Sequence, residues 1–567
     1  MRKAWGVLFG LALAWIAAQL HRGQPLGWDE VEFFRATKWT GEGLVPFRDF
    51  WEHHTPLQWL VFAPVGRLFA GGPGAASVVV LRWAQALAWI AILFLTMRLT
   101  RGPSRWWALV LLLCAPLFVT SAIEYRVDVL GNLGFIAALV VALRGRWIAF
   151  GALMSLAVLA NMRLAPLVVF TAALLLVWKE NRWRFNPRAL WMAAGVAMVA
   201  IPFVAWLFFT RAWDPFLKEI LGYNTAHAGL LGLNTFWDQF LGPVWLLDPA
   251  AIALWGAAIG GCVLALRVIR APGEIQIVAI VFVASILAIA IMEVQYVYHF
   301  QTTYLLMVPL AALALERLQR WEWVALAVAA VALVINLLPL TSPSWGEPMR
   351  YQDYVMREVD RRTTPDDTVF DGTGYALRRK PAYRYWFLPY GLRFLAERGT
   401  VEPYDIAKDP PAAVIHNLRM QRWFEIFPRT AAYAVQHYVP VTRDLWLPGM
   451  TVALKPGASY QWTVPVAGRY TLHASEPLVR HPWFTKPLDL AKLQGPRATQ
   501  YAIPLSQLPI ARVEWRVDGR LVPHQTVSLR KGARVEVLSR EDRPVGVLLV
   551  PAGIQTLAAA PAEEFQF

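Results

Sequence analysis

Cysteine is nearly missing from this chain: 567 residues contain two, Cys114 and Cys262, each inside an apolar run. That excludes a disulfide framework, and neither cysteine has the spacing of a metal ligand. Charge is scarce as well. Asp, Glu, Lys and Arg make up 16% of the chain against 57% hydrophobic residues, and the mean hydropathy is +0.40. Soluble domains carry about a quarter charged residues, so these figures exclude an ordinary soluble protein. The length excludes a single domain. There is no glycine-rich phosphate loop, no paired-cysteine motif and no nucleophile elbow, which leaves no basis for P-loop, dithiol or serine-hydrolase chemistry. Internal repeats and low-complexity segments are also lacking.

Apolar runs are abundant instead. A spanning helix needs about 20 apolar residues, with a range of roughly 17 to 25, and candidate spans lie at 4–20, 77–97, 106–121, 127–143, 147–160, 164–178, 190–209, 245–266, 275–292, 301–315 and 323–340. The basic start and apolar run of the N-terminus resemble a signal peptide, but the many spans that follow favour an uncleaved first helix. The net charge of +15 reads as an orientation signal rather than a nucleic-acid surface. With the N-terminus inside, the inner loops hold 13 Lys and Arg, against four in the outer connections after the first loop. Most acidic residues, and the histidines His21, His53, His54, His227 and His299, fall at the outer ends. Proton-handling chemistry is therefore expected on the extracytoplasmic face of a multi-pass membrane protein.

The first outer loop, 21–76, stands out. Its stretch Gly27–Leu57, GWDEVEFFRATKWTGEGLVPFRDFWEHHTPL, packs six carboxylates and the His53-His54 pair into 31 residues. The following 57–69 contains Pro64 and Arg67 and reads as an interfacial helix rather than a span. A second long outer loop covers 210–244. After Leu340 no long apolar run recurs. The expected organisation is a transmembrane catalytic domain over 1–340, a mixed α/β region over 341–444 and a β-rich domain over 445–567, the last two outside the cytoplasm. In the mixed region a helix is expected near 348–362 and strands at Thr368–Asp371 and Ala413–His416. The short alternating segments SYQWTVPV, GRYTLHAS, VEWRVDG, QTVSLRKG, RVEVLS and VGVLLVPAG signal antiparallel strands.

An Asp-Glu pair after the first helix, then GLVPFRDFWEHHTPLQWL and VVVLRW, resembles the GT-C glycosyltransferases of the protein O-mannosyltransferase and bacterial lipid A aminoarabinose transferase type. The resemblance covers about residues 1–340. It implies a polytopic α-helical fold of about eleven transmembrane helices in a bacterial cytoplasmic membrane. It also implies transfer of a sugar, hexosyl or pentosyl, from a polyprenyl-phosphate donor to a lipid, glycan or protein acceptor, with membrane lipids as further partners and no nucleic acid. Asp29 takes the position of the catalytic base, with Glu30 beside it. A carboxylate within hydrogen-bond reach can take the acceptor's proton as it attacks the anomeric carbon, and direct displacement inverts that carbon. The same residues admit a plainer reading, in which DEVEFF simply starts a helix.

The leaving phosphate needs positive charge or hydrogen-bond donors. Related enzymes place a Lys or His with paired prolines where this chain has Glu52-His53-His54-Thr55-Pro56, with one proline and no lysine. Arg82 matches an arginine position of the family; the alternative is that it snorkels to the interface. Arg126 and Asp128 of Glu124-Tyr-Arg-Val-Asp are further substrate-binding candidates, and Arg163, in a tight outer turn, is a weaker one. His299 and Tyr304, at the outer mouth of the tenth span, complete the set, with lining a lipid groove or packing between helices as the alternative for Tyr304. Glu52, His54, His227 and His299 could hold a divalent metal, since Glu and His are suitable ligands, although they lack short-range ligand spacing. The tail aromatics Tyr383, Tyr385, Trp386, Phe387 and Trp446 suit either a core or a sugar platform, with core favoured. Two other classes share these features: a transporter or flippase of a lipid-linked sugar, and a non-catalytic glycan-binding membrane scaffold.

Overall fold

The computed structural model describes the chain apart from residues 178–186, 225–248, 268–272, 291–295, 319–321, 476–501, 505–511 and 559–567 and the short positions 1, 70, 73, 101, 343–344, 443 and 555. It divides into two compact units, Met1–Arg350 and Tyr351–Phe567.

The first unit is helical: α1 (Arg2–Ala18), α2 (Trp28–Gly41), α3 (Leu57–Phe69), α4 (Ala76–Thr96), α5 (Ser104–Cys114), α6 (Pro116–Ile123), α7 (Val127–Leu143), α8 (Trp147–Ala160), α9 (Ala165–Val177) and α10 (Arg188–Phe209), followed by helices Pro249–Leu266, Glu274–Ala290, Gln301–Arg317 and Glu322–Leu337. Among the described residues, Lys3–His21, Ala76–Leu99, Arg188–Phe209, Pro249–Leu266 and Glu322–Thr341 are long and apolar enough to cross a membrane. Other expected spans form shorter apolar helices. The face pattern of α4 is that of an integral membrane protein. Leu87, Ile90 and Phe94 are 58–69% exposed, whereas Arg82 and Gln85 are buried. Apolar side chains turned outward with polar ones turned inward suit a helix solvated by lipid.

The span expected over 106–121 is broken. A residue before proline is driven to extended backbone, and Ala115, ahead of Pro116, has φ −81 and ψ 105. The break frees the Cys114 carbonyl, which accepts from Asn336 Nδ2 at 2.7 Å. Elsewhere small residues let helices touch. A Cβ on Gly261 would strike the Leu310 carbonyl, and Gly151 and Gly195 bring α8 and α10 into reciprocal contact through Met192 and Ile148. Helix Gln301–Arg317 is buried from Gln301 to Ala312. Its polar start ties in neighbours: Thr302 Oγ1 donates to Asn132 Oδ1 at 2.5 Å, and Thr303 pairs with Ser285 at 2.9 Å.

The second unit takes in most of the helix expected near 348–362, which occupies Glu347–Arg362. The strands are β1 (Thr368–Asp371), β2 (Lys380–Pro381), β3 (Ala413–Ile415), β4 (Tyr438–Pro440), β5 (Leu445–Pro448), β6 (Met450–Leu454), β7 (Ser459–Thr463), β8 (Gly468–Ser475), β9 (Ala502–Pro504), β10 (Val513–Val517), β11 (Arg520–Leu521), β12 (Thr526–Leu529), β13 (Arg534–Ser539), β14 (Val545–Pro551) and β15 (Thr556–Ala558). A mixed sheet runs β2-β1-β3-β5-β4, and two antiparallel sheets run β11-β10-β13-β7 and β12-β8-β14-β6. Trp462, Trp515 and Val535 from the first antiparallel sheet and Tyr470, Val547 and Leu549 from the second share one core, so these sheets form a sandwich. Trp386, Phe387 and Trp446 are buried core residues, while Tyr383 and Tyr385 are half-buried.

Candidate active site

α2 is built from polar residues yet is buried on most of its surface: Glu30, Glu32, Arg35 and Thr37 all lie inside. Burying charge is costly unless each group is paired, and the pairing shapes the site. Gly27 caps the helix, its N–H donating to Glu30 Oε2 at 3.3 Å. Successive helix residues point about 100° apart, so Asp29 and Glu30 serve different surroundings.

Glu30 faces inward to Arg82. Arg82 Nε donates to Glu30 Oε1 at 2.5 Å and Nη2 to Oε2 at 2.6 Å, a bidentate pair with both side chains fully buried. Other Arg82 donors reach the carbonyls of Gln24 (2.8 Å) and Pro25 (2.9 Å), and the Tyr125 N–H donates to Glu30 Oε1 at 2.9 Å. The expected placement of Glu30 at the reaction and Arg82 at a lipid phosphate is thus replaced by an internal clamp. Mutual attraction is strong in this apolar setting, and neither group has much bonding capacity left.

Asp29 faces Arg126, whose Nη2 donates to Asp29 Oδ2 at 3.0 Å, and 29% of the Asp29 side chain stays exposed. The same guanidinium bonds Glu124 Oε2 and Asp128 Oδ2, each at 3.1 Å, and lies 3.6 Å from the centre of the Tyr298 ring. Asn161 Nδ2 donates to the other Asp128 oxygen at 2.8 Å. Asp128 also sits in the first turn of α7, where the helix dipole favours an acid. Burial opposes the Arg126 charge, but Asp29, then Tyr298, Asp128 and Glu124, outweigh it and hold its pKa well above the usual value. Burial raises the Glu124 carboxyl, with Arg126 partly opposing.

Beside this cluster lies an open pocket. Its lining mixes Asp128, Asn161, Arg163, Tyr298 and His299 with the apolar Leu164, Leu167, Ala288 and Ile289 and with Asn132, Ser285, Thr302 and Thr303. His299 Nδ1 accepts from the Tyr296 N–H at 3.3 Å, and its buried Nε2 has no hydrogen-bond partner among the described residues. Burial, then Arg163 and Arg126, push the His299 pKa well below the usual value. Tyr304 lies elsewhere. It is 4% exposed and packs against Phe118 and Trp255 in the helical core, which corrects the expectation that it meets substrate.

The second cluster joins α2 to the His53-His54 turn. His53 Nδ1 is 3.3 Å from Glu32 Oε1, and His54 Nδ1 is 3.1 Å from Glu52 Oε1. Glu52 Oε1 also accepts from the N–H groups of His53 and His54 at 2.9 and 3.0 Å, while the Glu52 N–H donates to Glu219 Oε2 at 3.0 Å. One ligand atom from each of Glu32, Glu52, His53 and His54 lies within 4.8 Å of the others. Two carboxylates and two imidazoles form a donor set that a divalent ion such as Zn²⁺ accepts, and Glu52 Oε2 has no hydrogen-bond partner among the described residues. The expected metal set therefore changes. Glu52 and His54 come together, Glu32 and His53 join them, His299 belongs to the cavity, and His227 lies outside the described residues. Glu32 and Glu219 were not singled out from the sequence. The signal for Glu32 is its helical spacing, one turn on from Asp29; Glu219 carried none.

The helical bundle has the GT-C fold. The lipid A aminoarabinose transferase ArnT from Cupriavidus metallidurans shares it, both bound to undecaprenyl phosphate (TM-score 0.57) and in the apo state (TM-score 0.55). Each comparison gives 15% identity and covers 78% of this chain and 97% of ArnT. No family model matches the chain, and no curated protein sequence does.

Proposed function

We propose that this protein transfers a sugar from a polyprenyl-phosphate donor to an acceptor on the extracytoplasmic face, with Asp29 as general base. One observation carries the reading. Among the acids gathered around Arg82 and Arg126, Asp29 is the most exposed, with 29% of its side chain accessible against 17% for Glu124, 5% for Asp128 and 0% for Glu30. It can meet an acceptor hydroxyl while Arg126 holds it in place. The acceptor oxygen bonds to the anomeric carbon, the bond from that carbon to the phosphate oxygen breaks, and the electron pair leaves with the polyprenyl phosphate. The acceptor proton passes to Asp29, and the anomeric carbon inverts. The fold shared with ArnT, solved with undecaprenyl phosphate, supports a lipid phosphate as carrier.

The Glu30–Arg82 clamp positions Asp29 by fixing the first turn of α2. Glu32, Glu52, His53 and His54 would hold a divalent cation, which would supply positive charge for oxyanion binding. In this reading the N-terminus is cytoplasmic, α3 lies at the membrane interface, and the regions 341–444 and 445–567 are extracytoplasmic. The test is lipid mass spectrometry on a host lacking the protein, complemented with the native chain or with Asp29→Asn. Accumulation of a polyprenyl-phosphate sugar, cleared by the native chain alone, supports the reading and names the sugar. Equal clearance by both chains removes Asp29 as base and favours a flippase.

A further inference from the structure

We infer that Gln85 is a positioning residue for the transfer: its carboxamide holds the peptide groups on either side of Tyr125, and so fixes where Arg126 meets Asp29. This rests on the transferase reading and adds a residue to that site. Residues 124–126 join α6 to α7 with extended backbone, Glu124 at φ −64, ψ 143 and Arg126 at φ −137, ψ 150. Tyr125 and Arg126 are buried. Extended backbone inside a protein needs partners for its N–H and C=O groups, and the first unit has no strand among the described residues to supply them. Side chains take that part. Gln85 Nε2 donates to the Glu124 carbonyl at 2.7 Å, and Gln85 Oε1 accepts from the Arg126 N–H at 3.1 Å. On the opposite side the Tyr125 N–H donates to Glu30 Oε1. In extended backbone the carbonyl of one residue and the N–H two residues on point the same way, so one carboxamide engages both as a residue of a neighbouring strand would.

The carboxamide is itself held. Gln85 Oε1 also accepts from Gln58 Nε2 of α3 at 3.0 Å, and both glutamines are buried. Gln85 lies three residues after Arg82, on the same face of α4. Arg82 grips Glu30, the residue after Asp29, and Gln85 grips the peptide group of Arg126. One turn of a single helix therefore registers the acid against its arginine partner, and the two meet at 3.0 Å. The residue type fits the task. In the otherwise apolar stretch after Arg82, WAQALAWIAILFL, a carboxamide carries the same donor and acceptor as a peptide group and adds no charge beside Asp29 and Arg126.

The experiment adds the purified full chain to membranes of a host lacking the protein and follows loss of the accumulated polyprenyl-phosphate sugar by lipid mass spectrometry, between about pH 4 and about pH 8. Gln85→Met keeps the length of the side chain and removes its hydrogen bonds to Glu124 and Arg126. Turnover should fall about 10²-fold, the scale of a misplacement of about 1 Å. The acid limb of the pH–rate profile should move to higher pH, because a loosened Arg126 favours the Asp29 carboxylate less. Hydrogen exchange of the peptide covering 124–126 should quicken. Gln85→Glu keeps an acceptor for the Arg126 N–H in either protonation state, so it should show the same changes to a smaller degree, and it carries the comparison should Gln85→Met fail to fold. Native turnover in Gln85→Met, with Asp29→Asn inactive, overturns the assignment. A slowed Gln85→Met chain whose acid limb and 124–126 exchange both stay native also overturns it, since Gln85 would then only fill space. If Asp29→Asn turns over as fast as the native chain, or no polyprenyl-phosphate sugar accumulates, the transferase reading fails and takes this one with it, an outcome distinct from failure of Gln85 alone.

Discussion

Asp29 and Arg126 lie 97 positions apart in sequence and meet at 3.0 Å, the acid partly exposed and the guanidinium buried. The contact holds a carboxylate still without enclosing it. Asp29→Asn retains an oxygen for Arg126 but cannot take a proton. The expected outcome is a turnover loss of about 10²- to 10⁴-fold with the melting temperature of the detergent-solubilised chain little changed. Mass-spectrometric measurement of sugar transfer checks this, and near-native turnover would refute Asp29 as the base.

Glu30 and Arg82 should behave in the opposite way, acting on stability before chemistry. Glu30→Gln leaves the Arg82 guanidinium buried without its counter-charge, a change costing about 3–5 kcal/mol. Replacing both, Glu30→Gln with Arg82→Met, should be less damaging than Glu30→Gln alone. A double-mutant cycle on thermal unfolding measures the coupling, and simple additivity would argue against the clamp.

The Glu32, Glu52, His53 and His54 cluster predicts metal content. Elemental analysis after incubation with Zn²⁺ or Mn²⁺ should find about one ion per chain, the capacity implied by a single four-ligand site. Chelation should remove it, and Glu52→Gln combined with His54→Ala should prevent it. A native chain that takes up no metal would leave these residues as a network of acids and imidazoles alone.

The second unit carries a pH-sensitive group of its own. His416 is 2% exposed, its ring stacked 4.5 Å from Trp446, and burial pushes its pKa down to about 4. In the unfolded chain a histidine titrates near 6.5. Below that pH the unfolded state binds a proton that the folded state refuses, so stability is complete above about 6.5 and falls progressively towards about pH 4, by about 3 kcal/mol in all. His416→Phe should flatten that part of the profile. Chemical denaturation of the full chain at pH 7 and pH 5, followed by tryptophan fluorescence, makes the comparison; identical slopes for the two chains would remove His416 as the cause.

The strands of the sandwich are legible in the sequence because alternation is a local signal: RVEVLS folds as β13 with burial alternating along it. The apolar helices are legible for the same reason. Within the 106–121 run the overall apolar character reads as one span, and it is Pro116 that divides it into α5 and α6. Pairing between distant residues has no such local signal. Arg82 in an apolar helix is equally compatible with a phosphate, a snorkelling contact or a carboxylate 52 positions away, and only the fold selects Glu30. Tyr304 sits one turn from polar residues, yet its ring turns into the core. Glu32 is one more loop acid until α2 carries it to the histidines.

Arg126 bonds Asp29 on one side and, on the other, Asp128 in the cavity wall. A planar cation cannot strengthen its hold on one carboxylate without altering its geometry at the other. In the proposed transfer, an acceptor that draws Asp29 away and a donor that presses on Asp128 would act on the same group, and linkage would require each to change the other's affinity by the same factor. Its two substrates would then be coupled through one arginine.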